Sequence, residues 1–558
     1  MDSEGRKVAT SNGTEPSVDA VEGFRPLPRR QVVLTMGGVM LAIFLASLDQ
    51  TVVSTAMPRI IADLGGFDRF TWVTIAYLVA STTAVPIVGR LTDLYGRKGF
   101  YIAGIVVFLV GSLLSGFSQT MNQLIVFRAM QGLGGGVMMA NAFVSIGDLF
   151  PAAERGKYQG LVAAVFGLSS VIGPTLGGFI TDSLSWHWIF FVNIPIGIPI
   201  IALFVRFFPH VRPEQGRHRL DYVGMATLVG AVVPLLVGLS WGGVQYEWAS
   251  PQVIGALVLS GLMTAAFITV EMRVAEPIMP LEIYRNRVVS LSLLVTFFTG
   301  FGMFGAIIFI PLFFQGVLGA SATSSGSFLT PMMLGIVVGA ALSGQALSRA
   351  GGHYRFQGLV GLAIMATGMY LVSGMTVDTS YGGAVFNIVI MGFGLGITFP
   401  AYTIAVQNAV PYRLMGVATS ATQFYRSIGG TLGLALLGAL MASRFASGVS
   451  ERLTPAVEEA LSPGGLTDLI NKPQVLVNPE ALAGLRATFD RLGPQGSDLA
   501  EHLVGALRGS LAAATSDVFL VGVAVIAAAF VATMFLREIP LGRRQTPGQR
   551  AAPASESR

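Results

Sequence analysis

Apolar residues along this chain gather into long blocks, each about as long as a helix must be to cross a bilayer. The first runs from Val32 to Met57. Others begin near Phe70, Phe100, Gln123, Lys157, Trp188, Tyr222, Gln252, Val288, Ser325, Phe356, Gly382, Gly416 and Val518, fourteen blocks in all. Lipid offers no partners to open backbone groups, so each block reads as a helix; a β-barrel would show short alternating segments instead. The expected fold class is an all-α integral membrane protein with fourteen spans.

The polar positions between the blocks fix the topology. An even number of spans leaves both termini on one face. The tails and the even-to-odd connections hold 25 of the 35 Lys and Arg residues, and the opposite side holds 8. Six of those eight lie between Arg444 and Arg508, a long segment of little weight in the positive-inside rule. Both termini are therefore expected in the cytoplasm, with the chain in a plasma or bacterial inner membrane. The net charge of +5 follows from this topology and calls for no nucleic-acid partner. Only 12% of residues are charged and mean hydropathy is +0.67, while 69 glycines suit closely packed membrane helices. Cysteine is absent, which removes disulfides and thiolate metal sites. No signal-type cleavage site follows the first block, so it reads as a retained helix. In the long segment before the last span, "TPAVEEAL" and "NPEALAGL" signal helix starts. That segment reads as an exterior amphipathic cap, or as a surface that collects solutes or docks a partner.

Internal repeats divide the chain. "VIGPTLGG" (Val171 to Gly178) in span 5 matches "SIGGTLGL" (Ser427 to Leu434) in span 13 at an offset of 256. Gly132, Gly134, Gly136 and Pro151 match Gly392, Gly394, Gly396 and Pro411 at 260, and "GRLTDLYG" matches "GQALSRAG" at 255. The expected plan is a tail (1–31), a six-helix bundle (32–206), inserted helices 7 and 8 (207–287), a second six-helix bundle (288–541, including the exterior segment 444–515) and a tail (542–558). Paired bundles with a site between them can rock to alternate access. Gly173, Gly177 and Gly178 around the bend at Pro174 would let span 5 press against another helix as a seal.

Two charges lie deep in the first half. Asp49 sits about 12 Å below the outer end of span 1, and Arg128 enters span 4 from the same side to about 10 Å. An ion pair across the two helices is expected, since each charge alone costs about 3 kcal/mol to insert. It reads either as a static clasp or as a proton site. Apolar surroundings disfavour a charged carboxylate and a guanidinium favours it, so movement of Arg128 would change how Asp49 holds a proton. The second half lacks a counterpart to Asp49. Arg426, near the midplane of span 13, has no acid at its depth; it could hold carbonyls, contact water or meet an anionic group on a cargo. Arg426 and Gln131 are candidates for lining a cavity. After span 2, Gly89, Arg90, Asp93, Gly96 and Arg97 form a turn whose charges read equally as topology determinants or as an inter-helix latch, with Asp93 able to accept N–H groups at a helix start.

These motifs together resemble the major facilitator superfamily, and within it the fourteen-helix drug:proton antiporter branch. "GRLTDLYGRKGF" is similar to the family's loop motif between helices 2 and 3, "LDQTVVSTAMP" to the branch signature ending helix 1, and "RAMQGLGGG" to the helix-4 motif. "GLSSVIGPTLGG" (Gly167 to Gly178) resembles the antiporter motif, and "WHWIFFVNIPIG" a stretch common in the branch. The resemblance implies a multidrug efflux transporter that exchanges small amphipathic solutes for protons. It places Asp49 and Arg128 in coupling, Gly89, Arg90, Asp93, Gly96 and Arg97 in a conformational latch, and Gly167, Gly173, Pro174, Gly177 and Gly178 in the antiporter seal. Leu94 stands where many relatives carry a basic residue, a departure from the full loop pattern.

No acid occurs in spans 9 to 13, which favours neutral or singly charged cargo over divalent cations. Protons serve as the coupling ion, no other cofactor or metal is expected, and the chain is expected to work as a monomer in the lipid bilayer. A dedicated exporter of one metabolite, lipid or siderophore would show the same motifs. A channel or sensor is a further alternative. An intramembrane enzyme is disfavoured: His187, His210, His218, His353 and His502 lie outside spans or at their edges, and only Asp49 is a deep acid.

Overall fold

In the computed structural model the backbone closes its hydrogen bonds within helices, as lipid requires. The structure describes residues 28–65, 69–209, 220–243, 245–319, 322–349, 352–453 and 494–539, with isolated positions from 476 to 489. Among the described residues β pairing amounts to one isolated bridge, Gly242 to Tyr246. The helices are α1 (Arg29–Leu64), α2 (Thr71–Tyr95), α3 (Arg97–Gly116), α4 (Met121–Leu149), α5 (Ala152–Ser183), α6 (Trp188–Phe191), α7 (Asn193–Phe207), α8 (Tyr222–Trp241), α9 (Pro251–Glu271), α10 (Glu282–Arg285), α11 (Arg287–Gly316), α12 (Ala322–Arg349), α13 (Tyr354–Ser373), α14 (Tyr381–Asn408), α15 (Met415–Arg452) and α16 (Pro494–Met534). Thirteen helices among the described residues are long and apolar enough to cross a membrane, with α6 and α7 forming one of them. Outside that group stands α4, which is 29 residues long. Its glycines and polar residues lower its hydropathy, yet it is held between α2 and α3.

Local chemistry sets many of the ends. Asp221 accepts from the Gly224 N–H, Ser250 from Val253 and Asn286 from Val288, each occupying a donor that a helix start leaves open. Pro151 and Pro411, matched by the repeat, both stand in extended geometry before a helix. At the tight α2–α3 turn Gly96 adopts φ +87°, a conformation that side chains resist.

Glycines related by the repeat make equivalent contacts. A side chain at Gly132 or Gly136 would strike the backbone of Tyr77 or Ser81 on α2, and one at Gly134 would strike Gly104 and Phe108 on α3. In the same alternation, Gly392 and Gly396 meet Met332 and Ile336 on α12, and Gly394 meets Gly361 and Met365 on α13. Gly173 and Gly177 seat α5 on α1; Gly429 and Gly433 seat α15 on α11. Helices α1–α7 pack among themselves, as do α11–α16, while α9 pairs with α8, which leans on α2 and α15. Two seams join the groups: α2 crosses α15, and α5 crosses α12. The repeat exchanges one seam for the other. At both, glycine meets glycine, Gly89 against Gly416 and Gly156 against Gly344. These contacts lie at the face carrying the α2–α3 and α4–α5 turns, called here the basic face.

Two helices depart from the expected boundaries. The helix that holds span 14 begins not near Val518 but at Pro494, and α15 continues to Arg452. With 38 and 41 residues they are about 57 and 60 Å long, twice the ~30 Å hydrocarbon core. Their excess forms a stalk on the face opposite the basic one. Phe445 and Val449 are buried there with Leu503, Leu507 and Leu511, and Arg444 Nε pairs with Asp517 Oδ2 at 3.1 Å. Both ends of the long segment before the last span are thus extensions of its flanking helices. The stretch "TPAVEEAL" and most of "NPEALAGL" lie outside the described residues.

Candidate functional site

Asp49 and Arg128 meet as their depths predict. Arg128 Nη1 donates to Asp49 Oδ2 at 2.5 Å, with both residues about 1% exposed. The pair is part of a larger network. Gln131, one turn beyond Arg128 on α4, donates through Nε2 to Asp49 Oδ1 at 2.8 Å and accepts from Arg128 at 2.7 Å. Asn193, at the start of α7, donates to the same Oδ1 at 3.0 Å and to Ser112 Oγ at 2.9 Å. Ser112 in turn donates to the Phe190 carbonyl at 2.8 Å. The Arg128 guanidinium lies 4.4 Å from the Tyr77 ring centroid, a cation–π contact. Two helices, α4 and α7, thus donate to one carboxylate on α1, and α2 and α3 hold the donors through Tyr77 and Ser112.

Gln131 accordingly does not line a cavity; it is fully buried within this network. Sequence reasoning missed Asn193, Ser112 and Tyr77. Asn193 had a visible signal, an amide inside the apolar stretch "WHWIFFVNIPIG". Ser112 and Tyr77 carried none, since Ser and Tyr are common in membrane helices.

About 30 Å along α4 from Arg128, at 1.5 Å per residue, lies the second cluster. Asp93 caps a helix start, but that of α15 rather than the adjoining α3: its Oδ1 accepts the Gly416 N–H at 3.0 Å and its Oδ2 the Val417 N–H at 2.9 Å. This sets a negative charge on the positive end of a 38-residue helix. Arg97 Nη2 lies 3.4 Å from Asp93 Oδ1, and Arg97 Nη1 pairs with Asp148 near the end of α4. Asp148 accepts from the Tyr412 hydroxyl at 2.7 Å, and Gln407 of α14 reaches the Phe143 carbonyl at 3.4 Å. Gly89 gives the close approach, since a side chain there would collide with Ser420 and the Gly416 carbonyl. Arg90 is half-buried and faces Asp93, Glu271 and Glu276. The loop residues thus converge on α15, bringing in Asp148, Tyr412 and Gly416. A tertiary crossing of this kind leaves no trace in a local motif.

The glycine motif of α5 divides its work. Gly173 and Gly177 press on Thr51 and Thr55, two and six residues beyond Asp49 on α1. Gly167 faces Val337 across the α5–α12 seam, while Gly178 has open space beside it and seals nothing. Pro174 sits inside the unbroken helix. On α15, Arg426 is 5% exposed, its guanidinium 4.1 Å from the Phe399 ring centroid and bonded to Gln423 Oε1 at 3.1 Å.

Residues 39–434 match the family model of the Major Facilitator Superfamily. The chain belongs to that superfamily. It is an integral multi-pass membrane transporter and not an enzyme. It is 39% identical over 533 residues to the Multidrug transporter protein MdtP of Bacillus subtilis, covering 95% of this chain and 98% of the relative. It is 38% identical over 499 residues to Multidrug resistance protein 3 of the same organism, covering 89% and 94%. Among solved structures, the human organic anion transporter MFSD10 (TETRAN) aligns with a TM-score of 0.56 at 12% identity, covering 90% of this chain and all of that one. The proton:xylose symporter XylE aligns at 0.55 and 14%, covering 76% and 91%. At such identities the likeness concerns fold alone.

Proposed function

We propose that this transporter exports small amphipathic compounds, neutral or singly charged, in exchange for protons bound at Asp49. In this reading all fourteen long helices span, α1–α7 and α11–α16 form two rocking bundles, both termini are cytoplasmic as the Lys and Arg distribution favours, and the chain works as a monomer. Export of multiple drugs is carried over from the printed names of the two Bacillus relatives.

The observation that carries the coupling is the donor count at Asp49. Its two oxygens receive Arg128, Gln131 and Asn193, a set that suits only the ionised form. A proton turns one oxygen into a donor and removes the counter-charge of Arg128, so at least one partner must withdraw. Arg128 and Gln131 both ride on α4, whose far end holds Asp148 in the latch. Protonation is thereby linked to the seams. Both seams are closed at the basic face, which corresponds to a state closed to the cytoplasm.

The test is efflux from inverted vesicles energised by a pH gradient, with a broad compound panel and an Asp49→Asn variant. Retained cargo binding with loss of uphill export is expected. Concentrative export that proceeds unimpaired in the variant removes Asp49 from the mechanism. Strict discrimination across unrelated compounds would replace multidrug efflux with dedicated export.

A further inference from the structure

The mechanism above uses Asp49 and Arg128 and leaves Arg426 idle. A guanidinium offers five N–H donors and cannot be neutralised at physiological pH. Arg426 spends one on Gln423 and lays its face on Phe399. No carboxylate answers it: among the described residues it has no ion pair, and no charged group acts on it. Sequence alone makes this firm for its own bundle, because from Arg287 to Ser443 the one acid is Asp378, exposed in the α13–α14 connection. Asp517 on α16 is taken by Arg444, and Asp49 by Arg128.

Depth rules out the ordinary escape for a membrane arginine. Arg426 lies eleven residues into α15, about 16 Å from its basic-face end and so near the midplane. It cannot snorkel to a lipid headgroup from there. Its base is fixed, since the Arg426 backbone packs against Gly300 of α11, where a side chain would strike its carbonyl. Yet the two side chains it touches, Gln423 and Phe399, are each only half-buried, so accessible surface lies next to the guanidinium although Arg426 itself is 5% exposed. With the Asp49–Arg128 pair neutral as a unit, the deep charges sum to one uncompensated positive.

We propose that Arg426 is an anion-receiving subsite for cargo, and that this exporter accepts amphipathic organic carboxylates. The reading rests on the proposed export function. The planar fork presents its unused N–H edge to a carboxylate, which pairs with it in two parallel bonds. Gln423 one turn before supplies an amide beside it, and the Phe399 ring gives the apolar part of the ligand a wall. An amide of the same shape satisfies fewer donors and leaves the buried charge uncompensated.

The test uses the purified full-length chain with aryl carboxylates, each against its own primary amide, beginning with 2-naphthoate and 2-naphthamide. Binding is read by calorimetry and thermal shift. The carboxylate is expected to bind at least about tenfold more tightly than the amide, the scale of one charge-assisted bond made in place of none. Arg426→Gln is expected to erase that preference with amide binding changed less than about twofold, and Arg426→Lys to retain part of it. If Arg426→Gln does not fold, the wild-type preference and the Arg426→Lys variant decide the matter. Equal binding of acid and amide in the wild type across the set overturns the subsite, as does a preference that survives Arg426→Gln. Efflux of neutral compounds, measured in parallel, keeps the two ideas apart. Its loss would undo the export reading without touching the binding ratio.

Discussion

At Asp49 two oxygens take three donors, and every partner is buried. Removing one leaves others unsatisfied, and each buried orphan costs about 1–3 kcal/mol. Asn193→Ala strips a donor from Asp49 and an acceptor's partner from Ser112. A fall in thermal unfolding temperature in detergent, corresponding to about 1–3 kcal/mol, is expected. Arg59 supplies the contrast. It lies 3.9 Å from Asp182 with both side chains mostly exposed, so Arg59→Ala should change stability by less than about 1 kcal/mol. Similar losses for both variants would show that the network is no tighter than a surface pair. The Asp49–Arg128 pair was legible in the sequence because charges are scarce in membrane blocks and depth can be counted. Its amide and hydroxyl partners were not, since such groups are cheap enough to occur anywhere.

Among the elements, the two seams are related by the repeat but differ in chemistry. Asp93 corresponds to Ser348, so among the described residues the cap of a partner helix by a crossing carboxylate is seen at the α2–α15 seam and not at its counterpart. Asp93→Asn weakens that contact by about 0.3–2 kcal/mol, the usual range for a charge at a helix terminus. A two-fold to thirty-fold shift toward opening at the basic face is expected. The chain has no cysteine, so Ser420→Cys, buried beside Gly89, reports the opening directly. Its maleimide labelling should quicken in the Asp93→Asn background, and unchanged labelling would show that the carboxylate does not hold the seam. At the other seam the contact is backbone on backbone. Gly344→Val should wedge it apart, raise labelling further and halt efflux, because no flexible side chain can yield there. The glycines of both seams stood out in the sequence through their offset. What they touch did not, because a repeat tells which residues are alike and not which helices cross.

Across the whole molecule, the apolar blocks marked α4 along with the other thirteen long helices although its own hydropathy falls below theirs, and its interior position supplies the partners that lipid would not. Where α15 and α16 leave the membrane, hydropathy fell and the reading separated a span from a cap; the backbone makes no such break. That continuity turns α15 into a lever. Gly416 sits in the latch at one end, Arg426 lies about a third of the way along, and Arg452 ends the stalk at the other. A tilt of about 10° at the latch swings a tip some 54 Å away by about 9 Å, given a rise of 1.5 Å per residue. Spin labels at Arg452 and at Arg59 should therefore show two distances whose proportions follow the pH gradient. A stalk that keeps still while the seams open would mean that α15 bends instead of tilting. If it does move, events hidden within the bilayer are displayed outside it, like a gauge needle, where an antibody fragment or a fluorophore could read them.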